Sequence, residues 1–220
     1  MESIKSAGLL GMTAYTVEAE CDLAPGLPRF DVVGLPDVAV KESRDRVSSA
    51  LKNCGYRVPN GRIIVNLAPA DLRKVGPIYD LPIFISLLVA TGQLYAELNN
   101  CMFIGELSLD GALRPVTGVL PMVIHARDIG IKAVFVPADN GTEAAVVDGI
   151  DVYAVSHVSE LIYFLAGAKE LSPVRPTPFY EREQVFEPDF SEVKGQQGAR
   201  RALEIAAAGG HNALLIGPPG

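Results

Sequence analysis

Apolar and polar residues alternate with period two over Thr13–Cys21, the pattern of a half-exposed strand. Leu27–Val33 reads as its hairpin partner, with Pro25-Gly26 as the turn. After Gly34-Leu35-Pro36 the period lengthens toward 3.6. Asp37 is placed to N-cap a helix running to about Asn53, with Val40, Val47 and Leu51 on one face and Gly55 as the stop. Lys41, Arg44 and Lys52 fall off that stripe, toward solvent. Arg62–Leu67 is a β-branched strand, and the almost wholly apolar Leu81–Thr91 predicts a helix buried on most sides. Met102–Leu107 and Ala112–Val116 flank Leu109-Asp110-Gly111, an Asp-Gly hairpin signal. Helix, strand, strand and helix are expected at Val119–Gly130, Ala133–Val136, Val152–Val155 and Val158–Gly167. This alternation predicts an α/β domain with a mixed sheet.

The pattern stops at Lys169. From there to Pro188 a polar, acidic stretch is interrupted by Pro173, Pro176, Pro178 and Pro188, and reads as a linker. Beyond it, from Asp189, an alanine-rich helix to about Ala208 ends at Gly209-Gly210, and Ala213–Ile216 reads as a buried strand. The expected organisation is a domain at 1–168, a linker at 169–188 and the opening of a second domain at 189–220. One helix and one strand do not make a domain, so the second is expected to continue past residue 220.

Composition narrows the classes. The 220 residues are 49% hydrophobic and 20% charged, too apolar for disorder. No apolar run reaches the length of a membrane span, and the N-terminus lacks the order of a signal peptide. A soluble, cytoplasmic protein without membrane partners is expected. Cys21, Cys54 and Cys101, like His125, His157 and His211, are scattered, so neither disulfides nor a metal site is predicted.

The net charge of −7 argues against coating nucleic acid with the whole surface, but the charge is unevenly spread. Residues 41–74 carry eight basic and three acidic side chains, whereas residues 138–192 carry three basic and eleven acidic ones. Lys41, Arg44, Lys52, Arg73 and Lys74 are therefore candidate phosphate contacts to DNA. The other readings are a solvated helix face, or subunit contacts facing the acidic segment of a neighbour in a ring. No aromatic residues are interleaved to stack bases. Asp71 and Asp80, with Arg73 and Lys74 nearby, read as a structural ion cluster rather than an acid/base pair.

The chain closes on Gly217-Pro218-Pro219-Gly220, which follows the predicted strand and fits the first half of a phosphate-binding loop. The lysine and magnesium-binding hydroxyl of such a loop would come next. With Val193, Gly195 and Gln196 ahead of it, this order resembles the start of an AAA+ module, in which the matching residues line the adenine pocket. The resemblance implies ATP and magnesium for a longer parent. It implies no cofactor and no ATP hydrolysis for these 220 residues.

Three separated stretches carry a more specific resemblance: Phe30–Arg44 (FDVVGLPDVAVKESR); Val65–Asp71 with Gly76-Pro77 and Asp80-Leu81-Pro82; and Ala206–Asn212. The chain resembles magnesium-chelatase-like AAA+ ATPases of the YifB/ComM type along its whole length. That resemblance implies an N-terminal domain ahead of a hexameric motor, with a role in branch migration of DNA recombination intermediates during natural transformation. A chelatase-type motor that remodels a protein complex without touching DNA is the alternative.

Phe103–Gly118 and Lys74–Ile78 are similar to the Lon-protease stretches that present a catalytic lysine and serine, in a fold shared with ribosomal protein S5 domain 2. In this register the serine position holds Ile78 and the lysine position Leu120. Neither has the chemistry of a Ser–Lys dyad, so no catalytic residue is expected and a residual peptidase is disfavoured.

Overall fold

A computed structural model describes residues 3–176 and 189–218, and the chain divides into two units, Met1–Thr177 and Pro178–Gly220. The strands of the first unit are β1 (Ser3–Leu10), β2 (Thr13–Ala24), β3 (Arg29–Val33), β4 (Arg62–Ala68), β5 (Cys101–Phe103), β6 (Glu106–Leu107), β7 (Leu113–Arg114), β8 (Ala133–Pro137) and β9 (Asp151–Val155). Its helices are α1 (Val38–Asn53), α2 (Asp80–Ala90), α3 (Val119–Asp128), α4 (Gly141–Ala144) and α5 (Val158–Leu165), and a 3-10 turn, Pro77–Tyr79, leads into α2.

Seven strands form one sheet in the order β3-β4-β2-β1-β5-β8-β9, while β6 and β7 make a small ribbon around the Asp110-Gly111 turn. Only β2 runs against the others, so β1, β3, β4, β5, β8 and β9 all end at the same edge of the domain. The loops after these strands gather there, the end at which open α/β sheets place their ligands.

Two pairings differ from the sequence expectation. Leu27–Val33 is not the hairpin partner of β2, because β3 lies parallel to β4 and β2 pairs instead with β1 and β4. The partner β1 escapes periodicity because Ser6, Ala7 and Gly8 are small and all three are buried. Consecutive residues of β2 reach opposite faces. Tyr15 meets Tyr79 and crowds Gly8, where a Cβ would lie 2.6 Å from the Tyr79 hydroxyl. Its neighbour Thr16 hydrogen-bonds His125 of α3 at 2.9 Å on the other side. Helices thus cover both faces, with α1 and α2 on one and α3 on the other. Between β5, β8, β9 and α5, Phe103, Phe135, Tyr153 and Phe164 stack into an aromatic column with neighbouring centroids 5.0–5.1 Å apart.

Asp37 caps α1 as the sequence implies, its Oδ1 accepting from the Val40 amide at 2.8 Å. Val40, Val47 and Leu51 are buried on the face that meets α2. The start of the expected linker, residues 169–176, belongs to the first unit, where the Val174 amide donates to the Val152 carbonyl of β9. The rest of the expected linker, 177–188, lies outside the described residues.

In the second unit, a short 3-10 turn at Phe190–Glu192 precedes α6 (Gln197–Gly209), and Gly210 terminates α6 in the left-handed conformation, φ 62°. Ala213–Ile216 forms no strand, contrary to expectation. Leu214, Leu215 and Ile216 are exposed, and among the described residues of this unit no other strand is present to complete a ladder.

Candidate functional site

The stretch Gly34–Val38 crosses the carboxyl edge of the sheet between β3 and α1. Gly34 has φ 98° and sits so close to β4 that a Cβ would lie 2.2 Å from the Leu67 carbonyl oxygen. Leu35 is held left-handed at φ 55°. A second strand-like segment locks onto this turn. The Lys74 amide donates to the Leu35 carbonyl, the Asp37 amide donates to the Lys74 carbonyl, and the Gly76 amide donates to Asp37 Oδ2.

That arrangement places the five basic candidates. Lys41, Arg44 and Lys52 are exposed on α1, and with Ser48 they fall on one stripe of the helix. Lys41 and Lys52 stand about 17 Å apart along the axis. Arg73 is exposed in the loop after β4, and its carbonyl accepts from the Tyr15 hydroxyl.

Lys74 is not the surface contact that the sequence suggests. It is fully buried, and its ammonium donates to the carbonyls of Pro69 and Leu72. Burial holds its pKa below the ordinary lysine value, opposed by the nearby Asp71. A lysine enclosed by its own loop cannot reach a phosphate.

The expected ion cluster is also rearranged. Asp80 pairs with neither Arg73 nor Lys74. It is fully buried and accepts from Arg46 at 2.6 and 3.0 Å and from the Leu107 amide at 3.1 Å. This fork ties α1, the start of α2 and the β6–β7 ribbon together, so it is structural.

Two further arginines join the exposed cations of α1. Arg29 and Arg62 are register partners at the starts of β3 and β4, and both are more than half exposed. A cleft of about 370 Å³ between β3 and α1 is lined by Arg29, Phe30, Asp31, Arg44, Asp45 and Ser48. Asp31 lies 2.8 Å from Arg29 and 3.6 Å from Arg62, and Asp45 lies 3.4 Å from Arg44. Only the Arg44–Asp45 pair is exposed on both sides and contributes little; Asp31 is 23% exposed and holds the two strand arginines from a half-buried position. Sequence reasoning missed Arg29 because it lies twelve positions before the basic run; only the strand register brings it beside Arg62.

Ile78 and Leu120 occupy the positions assigned to a peptidase dyad. Ile78 is buried in the 3-10 turn and Leu120 begins α3, so neither side chain offers a nucleophile or a base. A cavity of about 450 Å³ opens beside Ile78, lined also by Leu9, Val75, Glu106, Thr117 and Met122. Among the described residues no group of histidine, cysteine or carboxylate side chains is arranged to hold a metal.

In the second unit Val193 is 39% exposed, Gly195 has φ 69°, and Gln196 is left-handed at φ 52° where it precedes α6. These two positive-φ residues turn the backbone sharply into the helix. Gly217 and Pro218 are exposed and belong to no element, while Pro219 and Gly220 lie outside the described residues.

The first unit is thus a mixed α/β domain built on a seven-stranded, mostly parallel sheet. A 125-residue stretch of the chain is 27% identical to Lon protease 2 of Bacillus subtilis, covering 56% of this chain and 22% of that protein. Residues 19–140 match the family described as subunit ChlI of Mg-chelatase, and residues 189–220 match the magnesium chelatase subunit ChlI family. The chain is 44% identical over 218 residues to the uncharacterised protein YifB of Escherichia coli K12, covering 99% of this chain and 42% of that one. It is 41% identical over 222 residues to competence protein ComM of Haemophilus influenzae, covering 99% and 43%. The chain belongs to the magnesium-chelatase ChlI family and is of the YifB/ComM type. It spans about two fifths of the length of these two relatives. No helix among the described residues is long and apolar enough to cross a membrane.

Proposed function

We propose that residues 1–177 form a non-catalytic guide domain of a hexameric AAA+ motor that acts on DNA recombination intermediates, the role that the resemblance to YifB/ComM-type ATPases implies. ATP and magnesium serve the longer parent, whose nucleotide loop begins in the segment from Val193 to Gly220. The observation that carries this reading is the cleft between β3 and α1 lined by Arg29 and Arg44, with Arg62 beside Arg29 in register on the neighbouring strand. Arg29, Arg44 and Arg62, each more than half exposed, suit a sugar–phosphate backbone. Contacts from guanidiniums to phosphate carry no sequence information, so this reading specifies no base. Ile78 and Leu120 support a role without peptide chemistry.

A second reading rests on the carboxylates in the same cleft. Asp31 and Asp45 partly neutralise it, which favours a mixed-charge contact between neighbouring subunits of a ring or with a partner protein. Fluorescence anisotropy with duplex, single-stranded and four-way-junction DNA across a salt series tests the proposal. Phosphate contacts predict saturable binding that weakens steeply with salt. Absence of binding to all three DNAs assigns the cleft to subunit contacts.

A further inference from the structure

The cavity beside Ile78 lies at the carboxyl edge of the sheet, the end to which six of the seven strands point. Its volume of about 450 Å³ is that of a site for a small ligand or a large side chain. Its walls are mostly apolar, from Leu9, Pro77, Ile78 and Met122, with the carboxylate of Glu106 among them. Two of its other walls, Val75 and Thr117, are non-helical segments, and among the described residues their backbone N–H and C=O groups make no hydrogen bond. Both are exposed.

Unpaired main chain beside an apolar cavity is the arrangement that receives an extended peptide. The peptide backbone bridges to the free strand-like groups, and a side chain enters the pocket. The apolar surface continues past the rim. Leu35, Val38 and Val75 are 54, 72 and 59% exposed, and the Lys74–Leu35 hydrogen bond holds the two segments side by side. Leu35 keeps its exposed apolar side chain there at a strained left-handed backbone position, φ 55°. This rim extends the surface beyond what a small molecule would cover.

Charge identifies the occupant further. Glu106 has Arg114 as its ion-pair partner at 3.7 Å, and the Arg114 side chain is 62% exposed. Arg46 also acts on Glu106 but is forked onto Asp80, and so loose a pair with Arg114 leaves the Glu106 carboxylate open to a further cation at the cavity wall. We propose that this cavity docks an extended segment of a partner protein, one that presents a bulky apolar side chain flanked by lysine or arginine. The inference is independent of the DNA reading, which concerns the cleft between β3 and α1.

The test uses the 220-residue chain and the blocked heptapeptide Thr-Lys-Thr-Phe-Thr-Lys-Thr, whose lysines share a side with the phenylalanine when it is extended. Calorimetry should show saturable binding, about tenfold tighter than for the same peptide with glutamates in place of the lysines. Glu106→Gln should remove most of that preference, and Val75→Asp, at an exposed position, should weaken binding with an unchanged circular dichroism spectrum. N-methylation at the phenylalanine and its neighbours should also weaken it. No saturation at millimolar peptide overturns the proposal, as does equal affinity for the lysine and glutamate peptides. Unaltered binding of the N-methylated peptide would make the cavity a small-molecule cleft instead, and binding that tracks self-association would assign it to a second copy of the chain.

Discussion

Arg46 Nε lies 2.6 Å from Asp80 Oδ2, and this contact joins α1 to the start of α2 across 34 residues of sequence. The carboxylate is fully buried, the arginine is 18% exposed, and the Leu107 amide completes the acceptor's shell. The pairing holds the guanidinium charged, above its ordinary pKa. Removing one partner from such a pair leaves the other charge buried and unpaired, which costs about 3–5 kcal/mol. Arg46→Ala and Asp80→Ala should each lower the urea midpoint accordingly. Replacing both together with Met and Leu should recover part of the loss. Additive losses in the double variant would contradict a coupled pair.

Gly34 sets the path from β3 into α1. A methyl group there meets the Leu67 carbonyl oxygen at 2.2 Å and requires an L-residue at φ 98°. Gly34→Ala should therefore destabilise the domain by more than about 2 kcal/mol. Next to it, Leu35→Gly relieves a left-handed residue whose strain is about 1–2 kcal/mol, so it should cost little. Thermal unfolding of the two variants checks the contrast, and equal midpoints would contradict this turn geometry.

Lys74 gives a pH dependence of definite sign. Burial lowers its pKa in the folded chain. Between that lowered value and the ordinary 10.5, the unfolded chain holds more protons, so the lysine's contribution to stability rises with pH across that interval. Other groups titrate there too, so the difference between wild type and Lys74→Met is the useful quantity. It should shift in favour of wild type as pH rises toward 10.5. A difference that stays flat in urea titrations would contradict an enclosed ammonium.

The thiols titrate in the opposite sense. Burial, with Asp22 adding to it, pushes Cys21 up to about 12, and burial raises Cys54 and Cys101 as well. The native chain at pH 8 should alkylate slowly with iodoacetamide, and all three thiols should react quickly in urea. From the ordinary value of 9 to about 12 the folded chain keeps the Cys21 proton that the unfolded chain gives up, so stability falls over that range. Rapid labelling of native Cys21, mapped by mass spectrometry, would contradict its burial.

Features written within a few residues of one another were legible in the sequence. Asp37, the apolar stripe of α1, the Asp-Gly turn and the buried α2 all follow from local spacing, and the structure has them where that spacing puts them. Strand partners were not legible. β3 carries nothing that distinguishes β2 from β4 as its neighbour, and β1 hides its buried faces in Ser6, Ala7 and Gly8. The candidate site divides in the same way. The exposed stripe of Lys41, Arg44 and Lys52 is a matter of helix period, whereas the burial of Lys74 depends on a loop folding its carbonyls around the ammonium. Arg29 joins the cationic surface only through register with Arg62, and Asp80 finds Arg46 rather than its sequence neighbours. The run at Ala213–Ile216 has a buried strand's composition, but a strand needs neighbours that the described residues of that unit do not include.

The central claim is that the cleft between β3 and α1 engages the DNA backbone. The most direct test compares wild type with an Arg29→Glu, Arg44→Glu, Arg62→Glu variant, by anisotropy on a four-way junction at low and high salt. The account predicts salt-sensitive, saturable binding by the wild type and loss of most of it in the variant, whose circular dichroism spectrum at the assay temperature stays that of the folded chain. Binding that survives the triple reversal with its salt slope intact would contradict the claim.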